Sequence, residues 1–380
     1  MADPMKFRNV EVLAPMVRAG TLPLRLECLR YGASLVYGEE IIDRKLIGAQ
    51  RVENHAFGCI DYVSPREKVS VFSTCATETK KVIFQLGTAS APLAVEAARL
   101  VCQDVSGIDV NMGCPKSFSV KGGMGAALLD KPEVVAEILT SLRRALPSEK
   151  SLTCKIRMLP STDKTRDFMR ICEKSGAEAI TVHLRLRDER PAEPAHWDEM
   201  ARVWDAVKVP VLANGDFFNR RQIDEFWKHC SEKECQVSGV MIARGALWNP
   251  SIFSRDPPNF DDMVKSYVRS AVATNSTYQN TKWVLSQMLA GGTGVTVPTS
   301  FNGISMKVFN RELSATKSMA QICTAFGEPH DQSKYPTRAH TTVFYKDFAF
   351  EDTKRPLETE VSEESAPKSR KIEPESGESA

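Results

Sequence analysis

Cys114 stands in DVNMGCPKSFSVKGGMGAALL (109–129), just after an apolar run that ends in Asn111. A thiol in a loop can donate a proton to a substrate when its pKa and reach suit the task. A lone loop cysteine is more often a small hydrophobe, but Lys116 and Asn111 beside this one weigh toward chemistry. Gly122, Gly123 and Gly125 follow, and glycine lets a backbone turn sharply or approach a ligand closely. Lys155, in LTCKIRM, is a second candidate. Such an amine forms Schiff bases in some barrel enzymes or hydrogen-bonds a flavin, and the residues alone leave both open. Gln85 in VIFQLG, His183 in AITVHL, Asn214 in VPVLANG and Arg244 in SGVMIARG complete a set of polar residues near the ends of apolar runs. Gly215 and Gly245 permit close backbone approach, and the Arg244 guanidinium suits phosphate. No pair of carboxylates ends these runs, which disfavours glycoside hydrolysis and carboxylate-held metals.

The elements that must position these residues follow a repeating beat. Short apolar runs at 12–16, 34–38, 82–87, 107–113, 152–158, 179–184, 209–215 and 238–245 alternate with helical patterns such as PEVVAEILTSLRRAL (132–146). Eight strands with helical crossovers in about 240 residues predict a (β/α)8 barrel. A doubly wound open sheet is the alternative, but no G-x-G-x-x-G follows the first run, VLAPM. Barrel strands alternate inward and outward side chains, and active sites gather at the strands' carboxyl ends. The polar strand-end residues would then share one mouth, with NGD (214–216) and ARG (243–245) in the loops after strands seven and eight, where barrels often hold phosphate. FGCIDYV and KVSVFST read as an inserted β-hairpin. After about Ser251 the strand beat stops, and 260–275, 280–290 and 304–327 read as helices around a Gly/Thr-rich loop at 290–303. The expected organisation is a barrel over 1–250, a small helical domain over 251–330 and a mostly disordered tail over 331–380.

Composition excludes several classes. Lys+Arg number 50 against 48 Asp+Glu, and hydrophobic residues make up 42%, so a core of ordinary size can form. No apolar run reaches the ~18 residues of a membrane helix. Met1 to Asn9 lack an apolar signal core, so secretion is not expected and a cytoplasmic setting is. The ten cysteines include no C-x-x-C, and Cys230, Cys235 and His229 lack a second ligand pair. Free thiols and no metal are expected. Residues 351–380 hold nine Asp/Glu, five Lys/Arg and three of Leu, Ile, Val and Phe, a composition that cannot offset its own ordering entropy. KSRK (368–371) could be a nuclear signal, but a solvated charge cluster outweighs that reading.

APM at the first strand, FQLG, GIDVNMGCPK…KGGMGAALL, CKIR, VH, ANGD and MIARGALWNP together resemble the tRNA-dihydrouridine synthases over residues 10–253. NTKWVLSQML and ICTAFG extend the likeness into the helical region, and the most similar branch is the eukaryotic one that modifies position 20 of the D-loop in cytoplasmic tRNA. The resemblance implies an oxidoreductase on a (β/α)8 barrel with a helical RNA-binding domain, using FMN as cofactor, NADPH as reductant and tRNA as substrate. By the same resemblance, Pro15, Met16 and Val17 would lie along the flavin ring. Gln85, Lys155 and His183 would hydrogen-bond its isoalloxazine and ribityl groups, and Asn214, Gly215, Asp216, Ala243 and Arg244 would hold its phosphate. Asn111 would contact the target uracil, and Cys114 would be the general acid. Arg185, Arg187 and Arg190, with Lys116 and Lys121, are candidates for RNA phosphate contact.

Two departures stand out. Leu184 follows His183 where relatives usually carry glycine, and where related animal enzymes carry a double-stranded-RNA-binding domain, the roughly 50 residues after Gly327 mostly read as disordered, with 335–350 too short for a whole such domain. Two other readings are a dihydroorotate-dehydrogenase-like flavin barrel and a non-catalytic tRNA-binding protein. The KGGMGAALL loop and helical region disfavour the first, and Cys114, Lys155, His183 and Arg244 disfavour the second.

Overall fold

A computed structural model describes residues 6–66 and 69–330. The segment expected to be disordered, 331–380 with its KSRK cluster, lies outside the described residues. Eight of the apolar runs become parallel strands: β1 Val10–Leu13, β2 Leu35–Tyr37, β3 Val82–Gly87, β4 Gly107–Met112, β5 Ser151–Met158, β6 Ala179–Leu186, β7 Val211–Asn214 and β8 Gly239–Ile242. Each pairs with the next, and β1 pairs with β8, so the sheet closes into the expected barrel.

Strand alternation separates two cores. Outward residues such as Leu13, Val36, Phe84, Ile108, Ile156 and Val182 pack under the surrounding helices. Inward residues Val12, Ala14, Tyr37, Ile83, Leu212 and Met241 form a separate inner cluster. Two of the crossover helices, Thr162–Lys174 and Arg220–Glu232, begin where a side-chain oxygen accepts a backbone donor that a helix start leaves unpaired. Ser161 Oγ accepts from Lys164 N–H, and Asn219 Oδ1 from Gln222 N–H.

Between β2 and β3 the chain forms a three-stranded antiparallel sheet, Gln50–Asn54, Cys59–Val63 and Ser70–Cys75. The extra strand beyond the expected hairpin, QRVEN, is almost wholly exposed and polar, so it carries no apolar run to read. Arg25 fastens this insert to the barrel. Its guanidinium donates to both Glu78 oxygens at 2.6 and 2.9 Å, to Ser73 O and to Gly20 O, with both side chains buried.

Among the described residues, four α-helices follow the barrel: Phe260–Ala273, Tyr278–Ala290, Met306–Ala315 and Met319–Phe326. The stretch read as one helical piece over 304–327 is thus two helices, which pack through Phe301, Phe309 and Phe326 at centroid distances of 4.6 to 5.2 Å. A two-residue β pairing, Ser300–Phe301 with Ile304–Ser305, closes the Gly/Thr-rich loop. These helices are tied to the first βα unit. Ser270 Oγ donates to buried Glu27, and the Arg18 guanidinium lies over the Trp283 ring at 4.6 Å.

Removing one member of a buried ion pair costs about 3–5 kcal/mol, because the other charge is left unpaired. Arg25→Met is therefore expected to lower stability by about that much, read as a fall in the urea midpoint at unchanged slope. An unchanged midpoint would show that Glu78 does not need this cation.

Candidate functional site

Neighbouring strands are registered so that their inward polar residues form rising levels. Gln85 pairs with Asp109 and Asp109 with Thr153. Above them, Asn111 pairs with Lys155 and Lys155 with Thr181. Above these, Arg157 pairs with His183 and His183 with Asn214. The mouth of the barrel is therefore polar from β3 to β7, whereas β1, β2 and β8 present apolar residues inward.

Asp109 sits lowest and is fully buried. It accepts from Gln85 Nε2 at 2.7 Å and Thr153 Oγ1 at 2.6 Å. Burial raises its carboxyl to about 6, and those two donors and the Lys155 charge only partly oppose the rise. The Lys155 ammonium is pulled down to about 7 by burial first and by the Arg157 charge second. None of the hydrogen bonds found among the described residues involves the Nζ of half-buried Lys155, which leaves this donor open to a ligand.

Asn111 shapes the next level. Its Nδ2 donates to Gln85 Oε1 at 3.0 Å, and its Oδ1 accepts from Gly113 and Cys114 N–H, each at 3.0 Å. The strand-end amide thus sets where the cysteine loop leaves β4, with one amide hydrogen left over. The loop then doubles back. Ala126 N–H donates to Cys114 O at 3.0 Å. Gly125 has φ of +58°, and a Cβ there would lie 3.0 Å from Cys114 Cβ and 2.4 Å from Ser119 Oγ. No residue but glycine fits that cradle. Cys114 is half-buried, and burial followed by the Glu40 charge pushes its thiol up to about 12.

The last level opens into a cavity of about 100 Å3 lined by Arg157, His183, Arg185, Asp216, Phe218 and Arg244, among others. Gly215 and Asp216 both have positive φ, making a sharp corner after β7. The Asp216 carboxylate accepts from Arg185, from Arg244 Nη2 at 2.9 Å and from Ala195 N–H at 2.7 Å. Asn214 Nδ2 donates to Met241 O at 2.8 Å, and Trp197 Nε1 to Gly215 O at 3.0 Å. Three guanidiniums thus face one carboxylate, so the cavity favours an anion. His183 is held well below its usual pKa, by burial first and then by Lys155 and the three arginines. Its Nε2 lies 3.1 Å from Arg185 Nη1, so it accepts, and the ring proton belongs on Nδ1.

The structure thus brings Gln85, Asn111, Cys114, Lys155, His183, Asn214, Gly215, Asp216, Ala243 and Arg244 to one mouth. Pro15, Met16 and Val17 join it as half-buried residues of the loop after β1, where Ala14 N–H donates to Ile242 O. One expectation is corrected. Arg185 is not a surface phosphate contact: it is buried, donates to Glu193 O at 2.7 Å and pairs with Asp216. Arg187 pairs with Asp130 at 2.6 Å, while Arg190, Lys116 and Lys121 are exposed. Asp216 is also recast, since a carboxylate repels phosphate and its oxygens already orient two guanidiniums.

Three residues escaped the sequence reading. Asp109 and Arg157 share the inward parity of Asn111 and Lys155, a signal that could have found them. Arg157 donates to Gly113 O at 3.0 Å and Leu186 O at 2.7 Å, tying the cysteine loop to the end of β6. Glu40, in the connection after β2, had no periodicity to mark it.

Comparison with known proteins agrees with this arrangement. The family described as Dihydrouridine synthase (Dus) matches residues 12–293. A Schizosaccharomyces pombe protein named tRNA-dihydrouridine(20) synthase (NAD(P)+) is 40% identical over 298 residues, covering 76% of this chain and 61% of that relative. This chain thus spans about three fifths of that relative's length. The Saccharomyces cerevisiae protein of the same name is 38% identical, covering 74% of this chain and 77% of its own length. A second S. pombe relative, named tRNA-dihydrouridine(20a/20b) synthase (NAD(P)+), is 33% identical over 67% of this chain.

The depressed His183 pKa has a stability consequence. An unfolded histidine titrates near 6.5, so below that pH the unfolded chain takes up a proton that native His183 refuses. Stability should therefore fall as pH drops through about 6.5, and His183→Asn should flatten that part of the curve. In imidazole NMR spectra the His183 ring is expected to stay neutral well below the pH at which an ordinary histidine titrates. A midpoint near 6.5 would show that the surrounding cations do not act on the ring.

Proposed function

Because this chain belongs to the dihydrouridine synthase family, we propose that it reduces the C5–C6 bond of a tRNA uridine, at position 20 of the D-loop, with FMN in the barrel mouth and NADPH as reductant. The observation that carries this reading is the Cys114 thiol fixed by Asn111 above an unpartnered Lys155 and beside an anion-selective cavity.

The residues present fit the cofactor. Arg244 and Arg185, aimed by Asp216, with Asn214, Gly215 and the Ala243 backbone, would hold its phosphate. Lys155 would give its unpartnered ammonium to the isoalloxazine edge, and Gln85 its remaining amide hydrogen. His183 would offer Nδ1–H, and Pro15, Met16 and Val17 would wall the ring. Bound there, FMN would supply a two-electron carrier between NADPH and the base.

The chain's own residues supply the rest. A stacked base cannot reach a barrel interior, so the uridine must be extruded from the folded tRNA. The leftover Asn111 amide hydrogen would take a uracil carbonyl. Cys114 gives its proton to C5 as negative charge develops there, and a thiol with a raised pKa still carries that proton at neutral pH. Lys116, Lys121 and Arg190 are exposed around the mouth for backbone phosphates, which makes binding weaken with salt.

Two measurements test this. Cys114→Ala should bind FMN and accept electrons from NADPH at the parent rate, while its reoxidation by tRNA slows roughly 10²–10⁴-fold. Equal reoxidation rates would remove Cys114 from the chemistry. Arg244→Ala should weaken FMN binding by about 1.5–3 kcal/mol, the usual worth of a hydrogen bond to a charged group. The class as a whole rests on dihydrouridine mapping in tRNA from cells lacking this protein, where the modification should vanish at position 20 and persist elsewhere.

A further inference from the structure

Glu40 is a buried carboxylate that the mechanism above leaves unused. It lies in the connection after β2 and reaches across to the cysteine loop. Ser119 Oγ donates to its Oε1 at 3.0 Å, and the Cys114 thiol donates to the same carboxylate. Its other oxygen, Oε2, is buried with no hydrogen-bond partner. The side chain is wedged from below as well, since a Cβ at Gly87 would come within 2.9 Å of Oε1. Glycines at 87 and 125 thus leave the room in which Glu40, Ser119 and Cys114 meet. A buried carboxylate with no cation beside it is costly; burial raises the Glu40 carboxyl, and the Cys114 and Ser119 hydrogen bonds oppose that rise, which marks it as a functional-site candidate.

The surroundings of Cys114 sharpen the inference. Sulfur accepts from Lys116 backbone N–H and touches Ser119 within its own loop. From β5 it is faced by the Lys155 and Arg157 charges, and from the other side by Glu40. A guanidinium such as that of Arg157 beside a thiol favours the thiolate, as in nucleophilic cysteines. Glu40 is the carboxylate whose charge acts on the thiol in the opposite sense.

We infer that Glu40 is a positioning residue that keeps Cys114 a thiol, so that sulfur delivers a proton to the substrate instead of standing as a thiolate. The S–H rests on the Glu40 carboxylate and turns about the Cβ–Sγ bond when the base arrives. The proton passes from sulfur to carbon, and the thiolate left behind regains one from water. Holding the thiol form also withholds a nucleophile from the electrophilic C6 of an activated pyrimidine. This inference rests on the proposed role of Cys114, and its test is chosen to stand apart from that role.

The test is the pH profile of Cys114 alkylation by iodoacetamide, followed by peptide mass spectrometry on the full-chain flavoprotein. Burial and Glu40 together raise the thiol, so the parent midpoint should lie well above that of an ordinary cysteine. Glu40→Gln keeps the size and removes the charge. Its midpoint should move down by at least about one pH unit, making labelling at pH 8 about tenfold faster. Ser119→Ala loosens the same contact but keeps the carboxylate, so its midpoint should stay or rise. If Glu40→Gln lacks flavin, Glu40→Asp carries the test, with a smaller shift in the same direction. An unmoved midpoint overturns the inference. So does an equal downward move in Ser119→Ala, which would mean that only loop packing matters. Reoxidation by tRNA should also fail at lower pH in Glu40→Gln than in the parent. If the parent does not reduce tRNA at all, the proposed function fails, while the labelling profile still judges Glu40.

Discussion

Four cations crowded into one barrel mouth, against two carboxylates, set the behaviour of the rest. Lys155, Arg157, Arg185 and Arg244 lie along β5, β6 and the turn after β8, with Asp109 and Asp216 opposing them. Like charges in a low-dielectric space must lower their own pKa, neutralise a neighbour or draw in an anion. This site does all three. Lys155 falls to about 7, His183 is kept neutral, and the remaining positive charge makes the cavity beside Asp216 a place for an anion. The binding site and the perturbed residues are therefore one electrostatic arrangement, and a single charge removed from it would move several others.

The same arrangement reaches the cysteine loop through Arg157. Its guanidinium is spent on carbonyls, Gly113 O at one end of the loop and Leu186 and Glu189 O at the end of β6. Arg157 therefore ties the cationic cavity to the strand exit that Asn111 sets. Cys114 is consequently fixed from three directions: Asn111 takes its backbone N–H, Ala126 takes its carbonyl, and Glu40 takes its thiol. The general-acid role proposed for Cys114 needs such restraint, because proton transfer depends on reach before it depends on pKa.

How much of this could be read without coordinates varied with the kind of signal. The barrel was legible because its strands are continuous apolar runs at regular spacing, and helical patterns alternate with them. The polar site was legible because Lys155 and His183 break that apolar pattern at strand ends. Asp109 and Arg157 obey the same two-residue parity but were passed over. Arg185 was misread because RLRDER looks like a solvated charge run, although its first arginine points into the barrel and pairs with Asp216. Glu40 lies in a short connection with no period, and its meaning comes only from what lies across from it in space. QRVEN shows the opposite limit, as an exposed polar strand fixed by its neighbours and not by its own side chains. The individual cofactor roles came from resemblance, since spacing alone left a Schiff base and a flavin contact equally open for Lys155.

The loop after β1 joins the site to the helices behind the barrel. Pro15, Met16 and Val17 form one wall of the mouth, and the next residue, Arg18, stacks on Trp283 while its backbone N–H donates to Glu39. Two residues on, Gly20 approaches the Glu39 backbone so closely that a Cβ would sit 2.9 Å from its nitrogen. Its carbonyl is held by Arg25, and Thr21 beside it meets Asn280. Glu39 is the residue before Glu40, so the segment that carries the thiol's partner is braced against the loop that walls the mouth. Any shift of the helices that moved Trp283 would be felt first at Arg18, then at residues 15–17, and through Glu39 at Cys114. A substrate large enough to touch both the helices and the mouth would thus bear on a mechanically connected surface, which an isolated barrel presenting the same catalytic residues would lack.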